Sequence, residues 1–270
     1  MGDIEPLVSV NLTTYNRAHL LHRAIKSVLN QAYKNLEIII VDDGSDDNTY
    51  EVLENLGKND NRINYIKHAK NRGNAAARNT ALKNSSGEYI AFMDDDDEWI
   101  DPHKIEKQIS IFLNSNDKLG IVCSNVRVIF ANNTYKERYI DFPRNLRAHI
   151  LKHNGIIYSP TVMTKRKLLE ALGGFDENLK RGIDSDFYRS CIIRKKCEVY
   201  LLEDITTNIY ERKSDRITII DNKEKIIEAI KAHLYLIKKY LISFIFIPRA
   251  FSYRLKLILK LSLKYIKTII

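Results

Sequence analysis

Within the first 130 residues, short runs rich in Val and Ile alternate with stretches of helical periodicity, the pattern of a parallel sheet covered by helices. The apolar runs fall at residues 8–12, 37–41, 63–66, 89–93 and 121–130, and helices are predicted over 18–30, 49–56, 75–84 and 102–113. In an open sheet of this kind the ligand sits beyond the carboxyl ends of the strands. Those ends carry Thr13-Thr14-Tyr15-Asn16-Arg17 after the first run, Asp42-Asp43-Gly44-Ser45 after the second and Asp94-Asp95-Asp96-Asp97 after the fourth. All three are predicted to face one crevice.

Beyond that half the pattern is less regular. Residues 132–154 are polar and basic, with Pro143, Arg144 and Arg147, and read as a mobile loop region. Order returns at 156–159, followed by a helix near 166–171, the turn Gly173-Gly174-Phe175 and a helix beginning near Asp184. The division predicted is a first, ligand-binding half of one domain over 1–130, a second half over 131–221 and a basic amphipathic tail over 222–270.

Four consecutive aspartates directly after the apolar Ile90-Ala91-Phe92-Met93 crowd like charges at a strand end, which is repulsive without a cation. A hard divalent ion relieves the repulsion, and Mg²⁺ or Mn²⁺ keeps coordination positions open for substrate phosphates. The competing reading is a solvated acidic turn at a helix N-terminus. Asp42 and Asp43 offer acceptors for a base N–H or a ribose hydroxyl, while Asp46 caps the following helix. The segment Asn71-Arg72-Gly73-Asn74-Ala75-Ala76-Ala77-Arg78-Asn79 opens a small-residue helix that can approach an anionic ligand closely. Packing explains the alanines, but not Arg78 among them. His149 and His153 share a helical face without a third ligand nearby, so zinc is disfavoured.

Taken together, these segments resemble the family 2 glycosyltransferases, which have the GT-A (Rossmann-like) fold. The resemblance rests on Val8-Ser9-Val10 with Thr14-Tyr15-Asn16-Arg17, Ser27 through Gln31, Ile40 through Thr49, Asn71 through Asn79, Gly87-Glu88-Tyr89-Ile90 leading into the aspartates, and Gly173-Gly174-Phe175-Asp176-Glu177. It implies an inverting, metal-dependent transfer of one sugar from a nucleotide diphosphate, with uracil as the base, to a hydroxyl of a glycan or lipid-linked acceptor in cell-surface polysaccharide synthesis. By position it implies that Thr13, Tyr15 and Arg17 cradle the base, Asp43 accepts from it, and Arg78 lies by the nucleotide or its phosphates. Asp94, Asp95 and Asp96 match the Asp-x-Asp motif, with Asp95 nearer the ribose and Asp96 as ligand of Mn²⁺ or Mg²⁺. Asp184 aligns with the general base, a role that competes with a simple helix cap. Ile183 stands where relatives often carry an acidic residue, and the Gln-x-x-Arg-Trp motif of processive members is missing, which disfavours polymer synthesis. A nucleotidyltransferase would carry a glycine-rich loop after the first strand, where this chain has Thr13 through Arg17. A sugar-nucleotide-binding protein without catalysis is the nearer alternative.

The net charge of +9 suggests nucleic acid until its location is considered. Residues 222–270 hold 11 Lys/Arg against two Glu, enough to account for all of it, so no nucleic acid is expected as a partner. In that tail Lys256, Lys260, Lys264 and Lys267 form one helical stripe, with Leu255, Leu259, Leu263, Ile266 and Ile270 falling largely away from it. Such a helix suits an anionic membrane surface, and equally packing on the catalytic domain or on a second copy in a homodimer. Three cysteines without a C-x-x-C pair, and residues 1–6 without a signal-peptide pattern, point to a cytoplasmic protein, peripheral at the inner face of the plasma membrane.

Overall fold

The computed structural model describes residues 5–58, 60–153, 155–211 and 222–268. Residues 1–4, residue 221 at the expected domain boundary, and Ile270 and the Lys267 side chain of the tail stripe lie outside the described residues.

The first half alternates as its sequence suggests: β1 (Val8–Thr14), α1 (Ala18–Leu29), β2 (Leu36–Asp42), α2 (Thr49–Gly57), β3 (Ile63–Lys67), α3 (Asn74–Lys83), β4 (Tyr89–Asp94) and the short β5 (Glu98–Trp99). There follow α4 (Lys104–Leu113), β6 (Leu119–Ile129), β7 (Tyr135–Arg138) and α5 (Leu146–Lys152), then a 3₁₀ turn at Ser159–Thr161, β8 (Met163–Lys165), α6 (Arg166–Leu172) and α7 (Ile183–Arg189). A π-turn over Ser190–Arg194 leads to β9 (Glu198–Tyr210), and the tail folds as α8 (Lys223–Lys239), α9 (Leu241–Phe246) and α10 (Pro248–Lys267). The strands form one sheet in the order β3-β2-β1-β4-β8-β6-β9-β5, with β7 hydrogen-bonded to β6.

Strands β3, β2, β1 and β4 are mutually parallel. β1, β2 and β4 have helices on both faces, which is why they read as unbroken Val/Ile-rich runs. On one face Leu21, Ala24, Ile25 and Val28 of α1 meet Val8, Val10, Ile38 and Ala91; on the other, Ala77 and Ala81 of α3 meet Ile39 and Val41. The alanines let α3 lie close enough to bring Arg78 over the strand ends. Register then settles the site: Thr13 pairs with Asp94 and Thr14 with Asp42, so the three polar strand ends finish side by side.

Two expectations need correction. Residues 132–154 are not an unstructured loop: β7 folds back on β6, and α5 is capped by Asn145, whose Oδ1 accepts from the Ala148 amide at 2.9 Å. α5 is only seven residues long, and tertiary contacts hold it. Arg189 Nε donates to the Ile150 carbonyl at 3.0 Å and Arg254 Nε to that of Leu151 at 2.8 Å. The other is β9, unanticipated because Glu203-Asp204 interrupt its apolar pattern. The pairing with β6 passes from Ser124–Leu202 to Asn125–Ile205, so those two residues bulge out, and Asn125 Nδ2 donates to the exposed Glu203 carbonyl at 2.7 Å.

The turn after β2 requires glycine. Gly44 has φ of +84°, and a Cβ there would meet the carbonyl carbon of Lys70 at 2.8 Å. Gly44→Ala should destabilise the fold by about 1–3 kcal/mol through strain and backbone displacement, which urea denaturation would measure.

Candidate active site

The acidic strand end after β4 is held by cations from two directions. Arg78, which is buried, donates from Nη2 to Asp94 Oδ1 at 2.9 Å and stands 3.3 Å from Asp184 Oδ1. Its guanidinium also lies 5.5 Å from the ring centroids of Phe92 and Phe175. Desolvation alone would favour losing its proton, but the charges of Asp184 and Asp94 outweigh burial and hold Arg78 above its ordinary value. From the other side Arg17 Nη1 reaches Asp95 Oδ1 at 3.0 Å and Asp96 Oδ2 at 3.3 Å, while Thr14 Oγ1 donates to Asp95 Oδ2 at 2.8 Å.

Two cations do not balance so many carboxylates. Desolvation, then Asp184, Asp96 and Asp95, outweigh Arg78 and raise Asp94 to about 7. Desolvation also raises Asp95 to about 6 against the pull of Arg17, and Asp97 lies well above the usual range, first by burial and then by Asp96 and Asp94. A cation brought by substrate would relieve this excess. Among the described residues no three His, Cys, Asp or Glu side chains form a ready-made metal cage. The donors present therefore fit an ion such as Mg²⁺ or Mn²⁺ that takes one or two carboxylates and completes its shell with phosphate oxygens and water. The side chains of Asp96 and Asp94 are open, 27% and 32% exposed, against 6% for Asp95.

The expected site residues stand at neighbouring strand ends and on the helices beside them, though some engage partners that the sequence did not suggest. Thr13 Oγ1 donates to Asn74 Oδ1 at 3.1 Å, and Arg78 Nε donates to the same oxygen at 3.3 Å, so Asn74 ties β1 to the guanidinium. Tyr15 stands at the rim, 42% exposed. Arg17 turns toward the aspartates. Asp43 is buried and satisfied from within: its Oδ1 pairs with His68 Nδ1 at 2.7 Å and accepts from the Arg72 amide, and its Oδ2 accepts from the Gly73 amide at 2.7 Å. It thereby fixes the loop that starts α3. His68 escaped the sequence reading, although its place just past β3, parallel to β2, was a usable signal. Asp184 begins α7, and Ser159 Oγ lies 3.5 Å from its Oδ1. One turn on, at i+4, stands the buried Tyr188, its hydroxyl held well above its ordinary range by burial and the Asp184 charge. His149 and His153 stack at 4.8 Å, with His153 also against Tyr253, an aromatic packing arrangement.

Residues 9–173 match the family described as Glycosyl transferase family 2. The chain belongs to that family. This glycosyltransferase is 40% identical over 164 residues to the Escherichia coli UDP-Glc:alpha-D-GlcNAc-diphosphoundecaprenol beta-1,3-glucosyltransferase WfgD, a match covering 60% of this chain and 62% of WfgD. It is 34% identical over 167 residues to TuaG of Bacillus subtilis, named for teichuronic acid biosynthesis, covering 62% of this chain and 65% of TuaG. Each match thus spans less than two thirds of the relative's length. In three dimensions it resembles the mannosyltransferase PcManGT of Pyrobaculum calidifontis, solved with GDP-Man and Mn²⁺, at a TM-score of 0.66 and 20% identity over 93% of this chain and 70% of that one. S. aureus TarS 1-349, solved with UDP-GlcNAc, gives 0.65 and 19% identity over 85% and 66%. The glycosyltransferase has their GT-A fold.

The raised carboxyls predict a pH dependence. With folded values of about 7 and 6 against an ordinary 3.8, the folded state binds more protons than the unfolded chain between those limits. Stability of the metal-free protein should therefore fall as pH rises from about 5 to 8, and Asp94→Asn should flatten that fall. Mn²⁺ with a nucleoside diphosphate should raise Tm more at pH 8 than at pH 5.5, as read by thermal denaturation.

Proposed function

We propose that this enzyme transfers one sugar, with inversion, from a UDP-sugar to a hydroxyl of a lipid-linked glycan during cell-surface polysaccharide synthesis. The single observation that carries this reading is the Arg78 bridge, which brings the acidic strand end and Asp184 within one guanidinium of each other. In this reading Thr13, Tyr15 and Asp43 form the wall for the base, Asp94 and Asp95 face the ribose and phosphates, and Asp96 holds Mn²⁺ or Mg²⁺. Such an ion, when bound, supplies positive charge to the departing diphosphate. The diphosphate competes with Asp184 for Arg78, and its arrival frees that carboxylate. Asp184 then accepts the proton of the acceptor hydroxyl as its oxygen attacks the anomeric carbon from the face opposite the diphosphate, and inversion follows from that approach. The names of WfgD and TuaG support the acceptor class, and the two nucleotide sugars in the neighbouring structures support the donor class.

Asp184→Asn should lower transfer at least about a hundred-fold while leaving the thermal shift produced by UDP and Mn²⁺ intact. Retained transfer would overturn the assignment of the base, whereas loss of transfer with donor binding kept would separate an enzyme from a sugar-nucleotide-binding protein.

The tail supports a peripheral place on the cytoplasmic face of the plasma membrane. α10 packs on α8 and α5 through Ala250, Phe251 and Arg254, but Leu255, Leu259, Leu263 and Ile266 remain exposed beside Lys256, Lys260 and Lys264. The apolar row is therefore not spent on the catalytic domain. α9 adds exposed Leu241, Ile242, Ile245 and Phe246, while no helix among the described residues is long and apolar enough to cross a membrane. A surface that joins apolar rows to lysines suits an anionic bilayer. Exchanging Lys256, Lys260 and Lys264 for Glu should abolish cosedimentation with phosphatidylglycerol vesicles at low salt, without changing UDP binding.

A further inference from the structure

The tail also enters the catalytic domain. Lys239, at the end of α8, donates from Nζ to Asp186 Oδ2 at 2.7 Å and to Asp176 Oδ2 at 2.6 Å. The next residue, Tyr240, donates its hydroxyl to Asp186 Oδ1 at 2.9 Å and lies 2.6 Å from Ser190 Oγ. Tyr235, one turn earlier, donates to Asp176 Oδ2 at 2.7 Å. Both oxygens of buried Asp186 are thus held by α8, two residues from Asp184 on the same short helix.

The apolar side of that helix is held by the core, where Phe187 lies against Phe92 and Phe175 and Arg189 Nε donates to the Ile150 carbonyl, with Arg189 Nη1 also 3.6 Å from Asp186 Oδ1; α8 holds its polar side. α7 spans seven residues, starts from Gly182 in the left-handed region without a side-chain cap, and runs into a π-turn. A helix of this length is unstable alone, so its direction is set by tertiary contacts. The Lys239 ammonium joins it to the Gly173-Gly174-Phe175-Asp176 turn. The turn is in turn bound to α3: Asn79 Oδ1 accepts from the Phe175 amide at 2.7 Å, and its Nδ2 donates to the Phe175 carbonyl at 2.9 Å. One cation from the tail therefore braces the segment bearing Asp184 against the segment bearing Arg78. The charges are strongly coupled. Burial opposes the Lys239 charge, but its bonds to Asp176 and Asp186 hold it above its ordinary value. Burial likewise opposes ionisation of Asp176, which its bonds to Lys239, Tyr235 and Asn178 nevertheless depress to about 2.

We propose that Lys239 and Tyr240 are positioning residues for sugar transfer: the C-terminal tail aims Asp184 by clamping Asp186. The inference rests on Asp184 being the base. It makes the tail part of the catalytic unit, and it puts the clamp directly before the exposed apolar residues of α9.

The test compares full-length Lys239→Met, Lys239→Arg, Tyr240→Phe and Asp184→Asn. One readout is turnover of UDP-glucose, UDP-N-acetylglucosamine and GDP-mannose to nucleoside diphosphate with water as acceptor. The other, which needs no donor, is hydrogen exchange across residues 183–189. Lys239→Met should lower kcat at least tenfold, with KM and UDP affinity within twofold of the parent, and speed exchange in that segment at least tenfold. Tyr240→Phe should do the same more weakly, and Lys239→Arg should restore most of the rate. Unchanged exchange in both Lys239→Met and Tyr240→Phe, or unchanged kcat per folded molecule whatever the loss in Tm, would overturn the clamp. If Lys239→Met fails to fold, Tyr240→Phe alone decides by the same two readouts. An inactive Asp184→Asn beside fully active clamp variants sinks the clamp only, whereas an active Asp184→Asn sinks the reading of the base.

Discussion

The buried guanidinium of Arg78 is the interaction on which the rest of the site depends. Asp94 and Asp184 come from a strand and a helix ninety positions apart in the chain, and without a shared cation each would face the other's charge in a poorly solvated place. Removing one partner from such a group leaves an uncompensated buried charge and costs several kcal/mol. The surrounding scaffold is arranged to keep Arg78 where it is. Asn74 accepts from its Nε, Phe92 and Phe175 flank its plane, and the alanines of α3 allow its helix to lie against β1 and β2. Both carboxylates meet the same Nη2, so a lysine could supply the charge but not the second donor, Nε, that binds Asn74.

What the sequence made legible follows from where pattern and physics coincide. β1, β2 and β4 were readable because burial on both sheet faces leaves unbroken apolar runs, and because Gly44 and Gly73 punctuate the turns. The site was readable for a related reason. In a parallel sheet the strand ends converge, so Thr13, Asp42 and Asp94 had to meet once the strands were placed. β9 was not readable, because its Glu203-Asp204 bulge breaks the alternation that identifies a strand, and the compensating bond comes from Asn125, far away in sequence. α5 was hidden for a similar reason, since arginines distant in the chain satisfy its carbonyls. At the site, Asp43 was marked for the base, yet its oxygens are occupied by His68 and two amides. No composition or spacing around Asp43 reports that three donors will be delivered to it by the fold.

The same distinction separates the two halves of the tail. The lysine stripe of α10 is a local feature, visible in a window of a dozen residues, and it describes a surface. The function of α8 lies instead in single side chains whose partners are some fifty to sixty residues away, and periodicity says nothing about them. An amphipathic pattern predicts that a helix has an inside; it does not predict that Lys239 and Tyr240 will spend theirs on Asp176 and Asp186.

That arrangement bears on how a membrane surface and a transfer reaction are connected. A carboxylate acting as base must be aimed with errors well under an ångström, since displacement of that order costs about a hundred-fold in rate. Asp184 sits on a helix too short to fix its own direction, and two of the groups that hold it belong to an element whose next residues present Leu241, Ile242, Ile245 and Phe246 to the outside. Two side chains connect the start of α9 to α7, whereas Asp94 ends a strand of the sheet, Arg78 holds it and Arg17 holds Asp95 and Asp96 after it. Contact between tail and bilayer would therefore act on the aim of the base rather than on donor binding, and any coupling between the two surfaces would appear in kcat before it appeared in KM.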